Sequence, residues 1–197
     1  MTANRLNGNL YANLFPLVML LLTVGYGAAC LAGQDEEGQL GLLVALPAGR
    51  ASIVLQESAV MVLQAGIVAL AVAASVLAGR VFGLDVTVAT AISASVAALL
   101  LGLDLGLVTM LAGAITGRRG AAIATGTSLA AASYLLGSLA PVVSWLRPWR
   151  YASLFFWAVD NGQVSHGVSP RDYAVLGLVA IGAAYATVVA FRRLDVH

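Results

Sequence analysis

Five long apolar stretches constrain the fold of this chain more than any other feature of its sequence. Each holds about 20 mostly apolar residues, the length that an α-helix needs to cross the hydrocarbon core of a bilayer. Backbone groups have no water to bond with inside lipid, so each stretch is predicted to be helical. The fold class is therefore all-α, a polytopic membrane protein with a single transmembrane domain. The predicted spans are Ala12–Leu31, Ser58–Ala78, Thr87–Ile115, Ala121–Ala140 and Tyr173–Ala190.

The composition agrees with a membrane protein and excludes several classes of function. Charged residues make up 10% of the chain and hydrophobic residues 60%, whereas a soluble domain usually has about 25% charged residues. The net charge of +1 argues against a basic nucleic-acid binder. Cys30 is the single cysteine, so an intrachain disulfide and a zinc site built on several cysteines are excluded. We expect no cofactor or metal on this chain.

The sequence contains no lysine, and all ten basic residues are arginine. A Walker A loop needs its lysine to reach the nucleotide phosphates, so this chain cannot itself carry that ATP site. Schiff-base catalysis through lysine is excluded for the same reason. We therefore expect that the chain is not an enzyme.

Two connections between the spans are long enough to have a role of their own. The first, Ala32–Glu57, opens with acidic residues and continues into the apolar run Gly38–Leu46, which is too short to cross a membrane. Such a segment predicts either an interfacial helix or a docking surface for another protein, and the residues alone leave both open. The second, Pro141–Asp172, is rich in aromatic residues and predicts a membrane-interface anchor, with substrate gating as the alternative.

Asp104 is the most unusual residue, since it lies near the middle of the third predicted span. A carboxyl at that depth normally faces a protein interior or water. One interpretation is a substrate or proton pathway, and the other is a neutral, hydrogen-bonded carboxyl packed against a neighbouring helix. Gly102 and Gly106 flank it and form a small-xxx-small pair, which predicts close helix packing.

Three segments together resemble ABC-2 type permeases, most closely those of bacterial antibiotic or multidrug exporters. Glu36–Arg50 resembles the family's acidic pair, glycine, leucine-rich stretch, proline and arginine. Ala114–Arg119 resembles the arginine turn before the penultimate span, and Ala190–Asp195 resembles the family's ending. The resemblance runs from about Leu10 to the end of the chain.

This resemblance implies a permease subunit in the cytoplasmic (inner) membrane, forming a homo- or heterodimer with a second permease chain. A separate ABC ATP-binding subunit would bind the ATP and dock on the segment that follows the first span. The coupling residues carried over from the family are Glu36, Glu37, Leu40, Leu43, Leu46 and Arg50.

The orientation follows from the number of spans. Five spans place Ala32–Glu57, Arg118-Arg119 and Arg192-Arg193 on one side, but the ten arginines divide equally between the two sides. The adjacent arginine pairs and the resemblance both favour this side as cytoplasmic.

The chain departs from the family in one respect. Family permeases usually have six spans, and their first span has no counterpart here, which predicts a helix supplied from upstream sequence or by a partner chain. Two rival functions stay open: an accessory or assembly protein without transport activity, and an intramembrane enzyme that uses Asp104.

Overall fold

A computed structural model of the chain describes residues 17–38, 49–79, 87–160 and 169–192. In these ranges five helices are long and apolar enough to cross a membrane, which confirms the predicted all-α polytopic fold. The chain is thus a multi-pass membrane protein. We label the helices α1 (Leu17–Glu36), α2 (Arg50–Gly79), α3 (Val88–Thr116), α4 (Arg119–Leu139) and α5 (Pro170–Phe191).

The helix ends follow local capping rules. Thr87 precedes α3, and its hydroxyl accepts the N–H of Thr90 at 3.2 Å. Gly117 ends α3 with a φ of 62°, a left-handed conformation that glycine adopts without strain. Ser169 and Asp172 form a capping box at the start of α5, where Pro170 occupies the first turn.

The connection predicted as Ala32–Glu57 is shorter in the structure, because α1 continues to Glu36 and α2 begins at Arg50. Within α1, Ala29–Gly33 forms a π-helical turn. The second predicted span begins at Ser58, whereas the structure includes Glu57 in α2 and bonds its carboxylate to side chains of α1.

The helix α3 is the centre of the bundle. Its most apolar window is 72% buried, against 22% for the windows of α2, α4 and α5. Large apolar side chains of the outer helices point away from the core, among them Leu70 and Leu178, which are 72% and 70% exposed. In a membrane protein such side chains face lipid, so α3 is the helix that lies furthest from it.

The aromatic segment divides into an outer and an inner part. The 3-10 helix Ser144–Ala152 carries the exposed rings of Trp145 and Trp149. The chain then turns back on the bundle, where Phe156 and Trp157 are buried in one cluster with apolar residues of α1, α3 and α5. Only the outer part has the exposure expected of an interfacial anchor.

Candidate functional site

Close packing of α1 on α3 fixes the orientation of the central helix. A Cβ atom added at Gly27 would overlap the carbonyl oxygen of Gly106, so the two backbones touch. A Cβ at Gly106 would lie 2.7 Å from the Sδ of Met61 and 2.8 Å from the Cβ of Thr23. Gly102 also faces Thr23. Both glycines singled out in the sequence therefore lie at a helix crossing that a side chain would push apart.

Asp104 points away from that crossing. Two residues along an α-helix correspond to a rotation of about 200°, so Asp104 lies opposite Gly102 and Gly106 on α3. Ser93 precedes Asp104 by about three turns and shares its face. The hydroxyl of Tyr173 donates to the carbonyl oxygen of Ser93 at 3.4 Å, which places α5 against this face.

The helices α3 and α5 run side by side in the same direction. Their starts meet at Ser93 and Tyr173, and towards their other ends Ala114 and Phe191 belong to one buried cluster. A point about three turns beyond Tyr173, level with Asp104, falls near Ala183 and Ala184. The part of α5 that is level with Asp104 thus has small apolar side chains.

Neither carboxyl oxygen of Asp104 has a hydrogen-bond partner among the described residues, although the residue is 0% exposed. Three threonine hydroxyls deep in the bundle are satisfied within their own helices, whereas one oxygen each of Gln34 and Asp35 near the end of α1 is also without a partner. The hydroxyls of Thr23, Thr109 and Thr187 each donate to the carbonyl oxygen four residues earlier, at 2.7–2.8 Å. Since buried polar groups in native proteins are nearly always bonded, Asp104 is an exception that calls for an explanation.

No positive charge compensates Asp104 in the described part of the chain. The arginines there lie at the ends of the spanning helices or in the 3-10 helix, well away from the middle of α3. They are Arg50, Arg118, Arg119, Arg147, Arg150, Arg171 and Arg192.

A second carboxylate, that of Glu57 on α2, has the partners that Asp104 lacks. It accepts the hydroxyl of Tyr26 at 2.5 Å and the side-chain amide of Gln34 at 3.2 Å, both from α1. We call Tyr26, Gln34 and Glu57 the Glu57 cluster. The sequence analysis missed this cluster, although a tyrosine inside the first span and a glutamate beside the second were signals that could have suggested it.

The end of α1 also contacts the start of α4. The carboxylate of Glu36 accepts the backbone N–H of Arg119 at 2.9 Å. The first N–H groups of a helix have no partner within the helix, and its N-terminus favours negative charge. Arg118, the residue before α4, provides no side-chain cap. Glu36 therefore acts as a cap contributed from another helix.

The remaining predicted coupling residues are placed only in part. Glu37 is exposed just after α1, and Arg50 is the first residue of α2. Leu40, Leu43 and Leu46 lie outside the described residues. The structure does not bring Asp104 together with this group, since Asp104 lies in the middle of α3 and Glu36 at the end of α1.

The described residues contain no group of three or more His, Cys, Asp or Glu side chains that could hold a metal ion. No protein-family model matches the chain, and neither a curated protein nor a solved structure is significantly similar to it. The functional argument therefore depends on the residues and their geometry.

Proposed function

We propose that this chain is the transmembrane permease subunit of an ABC exporter in the cytoplasmic membrane. The observation that carries the proposal is the bond from the N–H of Arg119 to Glu36. It joins two of the three segments that resemble ABC-2 permeases, the acidic segment after α1 and the arginine turn before α4. An energy-coupling surface needs these segments at the same end of the bundle.

The contacts at this end also suggest how a push would be transmitted. Residues 39–48 connect α1 to α2, and a partner that moves this connection acts on both helices. Glu57 ties α2 to Tyr26 of α1, and Glu36 ties α1 to α4. ATP-driven closure of the partner subunits would thus tilt α1, α2 and α4 around the buried α3.

The geometry gives less support to the rival functions. An intramembrane enzyme based on Asp104 would need a second polar group beside it, and the described residues provide none within hydrogen-bonding distance. An accessory protein that only binds partner helices would have no use for an unsatisfied carboxyl at the centre of its own bundle.

The proposal is tested by pull-down of the ABC ATP-binding subunit with this chain in detergent. Leu43→Ala should weaken binding at least about tenfold, because truncating a buried leucine costs about 2–5 kcal/mol and each 1.4 kcal/mol or so is tenfold. Glu37→Arg should weaken it as well. The matched control is Leu70→Ala, which truncates a leucine on the outer face of α2. Equal binding by all four proteins would remove the coupling surface and the proposal with it.

A further inference from the structure

We propose that Asp104 is the binding site for the charged group of a lipophilic organic cation, and that the permease carries such cations. The transport half of this inference rests on the proposed function. The binding half concerns this chain alone and is tested without an ATP-binding subunit.

Asp104 forms no side-chain hydrogen bond with the described residues. A charged carboxylate in the middle of a membrane bundle is costly without a partner. A neutral carboxylic acid would still leave its O–H and its carbonyl oxygen without bonds. A polar residue that only stabilised the fold would have its donors within reach, as Glu57 has. The unsatisfied oxygens of Asp104 are better explained by a ligand that supplies the missing partner.

The charge of this ligand follows from the chemistry of a carboxylate. An ionised carboxylate only accepts hydrogen bonds, so the group that meets it must carry positive charge or N–H donors. The arginines of the described residues lie too far towards the helix ends to provide this charge. A free metal ion suits the site poorly, since hard cations need several oxygen ligands and Asp104 offers one carboxyl.

The part of the ligand outside its charged group should be apolar, because the side chains near Asp104 are apolar. Leu101 and Leu105 lie within about 100° of Asp104 around α3, and both are fully buried. On α5 the same depth is occupied by Ala183 and Ala184, which leave no large side chain to displace. A hydrated ion would gain nothing from contact with these apolar side chains. An apolar group attached to the charge would be buried among them.

Two aromatic rings lie close to the leucines that flank Asp104. Phe156 and Trp157 belong to the same buried cluster as Leu101 and Leu105. Two cations already lie over their faces, with the Cζ of Arg150 5.1 Å from the Phe156 ring centroid and the Cζ of Arg171 5.8 Å from that of Trp157. Aromatic faces attract organic cations, and these two contacts show that the rings packed against Leu101 and Leu105 accommodate positively charged groups.

Asp104 is closed to solvent in this structure, so a ligand reaches it only when the helices packed around α3 move apart. The purified chain in lipid nanodiscs is titrated with tetraphenylphosphonium, and its neutral analogue triphenylphosphine oxide is the control ligand. We expect saturable binding of the cation and little binding of the neutral analogue. Asp104→Asn should weaken cation binding at least about tenfold, since losing one partner of a buried charge pair is costly. Asp104→Glu should retain binding, and Glu57→Gln should bind like the wild type.

A second measurement uses the wild type alone and does not depend on the folding of any variant. Dicyclohexylcarbodiimide modifies carboxyl groups in apolar surroundings, and peptide mass spectrometry reports the modification at Asp104. Tetraphenylphosphonium should protect Asp104 and leave the modification of Glu57 unchanged. The proposal is overturned if the wild type binds cation and neutral analogue equally, if Asp104→Asn binds as well as wild type, or if the cation gives no protection. If the ATP-binding subunit failed to bind this chain in the pull-down, the proposed function would be contradicted. Cation binding at Asp104 and its protection from modification would not be affected by that result.

Discussion

Glu57 and Asp104 are two carboxyl groups inside spanning helices of one bundle, and their surroundings are opposite. Glu57 is partly exposed near the start of α2 and accepts two hydrogen bonds from α1. Asp104 is fully buried near the middle of α3 and accepts none from the described residues. The comparison separates a carboxyl that holds two helices together from one that the fold does not need.

This difference has a thermodynamic meaning. Removing one partner of a satisfied buried pair leaves the other unsatisfied and costs stability, whereas removing an unsatisfied polar group costs little or stabilises the fold. The two carboxyls should therefore respond to the same substitution with opposite signs. A stability measurement that gave the same sign at both positions would break the comparison.

The largest effect is expected for Glu57→Ala. It leaves the Tyr26 hydroxyl and the Gln34 amide without an acceptor. The loss of unfolding free energy should be about 1–3 kcal/mol, because two partly buried polar groups lose their acceptor and each orphaned group costs up to that much when fully buried. The measurement is unfolding by SDS in mixed micelles, followed by circular dichroism. A loss below about 0.5 kcal/mol would mean that the Glu57 cluster does not hold α1 to α2.

Tyr26→Phe should have a smaller effect, since it removes one donor and leaves Glu57 bonded to Gln34. We expect a loss of about 1–2 kcal/mol in the same unfolding assay. The double variant Tyr26→Phe/Glu57→Ala should lose less stability than the sum of the two single losses, because each variant removes the same bond. Full additivity would show that the hydroxyl and the carboxylate act independently.

Asp104→Ala should leave stability unchanged or raise it by up to about 1 kcal/mol, because the buried oxygens no longer need partners. The small cavity left by the carboxyl offsets part of this gain. Asp104→Asn, which keeps the polarity and shape, is the control and should lie closer to the wild type. A loss of more than about 2 kcal/mol for the alanine variant would show that Asp104 is a structural residue after all.

Glu36→Gln should have the smallest effect on stability. The amide oxygen can still accept the N–H of Arg119, so only the favourable charge at the start of α4 is lost. We expect a loss of about 0.3–1 kcal/mol, reduced by added salt. Glu36→Ala is the companion variant, and it should cost more because it removes the hydrogen bond as well. Equal effects of the two would assign the whole contribution to charge.

Much of the fold could be predicted from the sequence, because lipid imposes the same requirement on each span. Five apolar stretches of sufficient length led to five helices, and Asp104 stood out in the third one. The boundaries were less accurate at Glu57, because the predicted span starts at Ser58 and the helix begins eight residues earlier, at Arg50. Its partners on α1 are 23 and 31 residues away, a pairing that no local pattern contains.

The surroundings of Asp104 could not be predicted for the same reason. Its depth in α3 is visible in the sequence, but the small side chains of α5 beside it depend on helix packing. The division of the aromatic segment also depends on tertiary structure, since Trp149 and Trp157 lie in the same connection, yet one is exposed and the other buried.

The central claim, that this chain moves a cation past Asp104 when a separate subunit hydrolyses ATP, is tested most directly in proteoliposomes. The chain is reconstituted with the ABC ATP-binding subunit that we propose as its partner, and ATP-dependent accumulation of tetraphenylphosphonium is followed with an ion-selective electrode. We predict accumulation with the wild type and with Leu70→Ala, and a loss of at least about tenfold with Asp104→Asn, which should still bind the ATP-binding subunit. Accumulation that is independent of ATP, or undiminished in Asp104→Asn, would contradict the account.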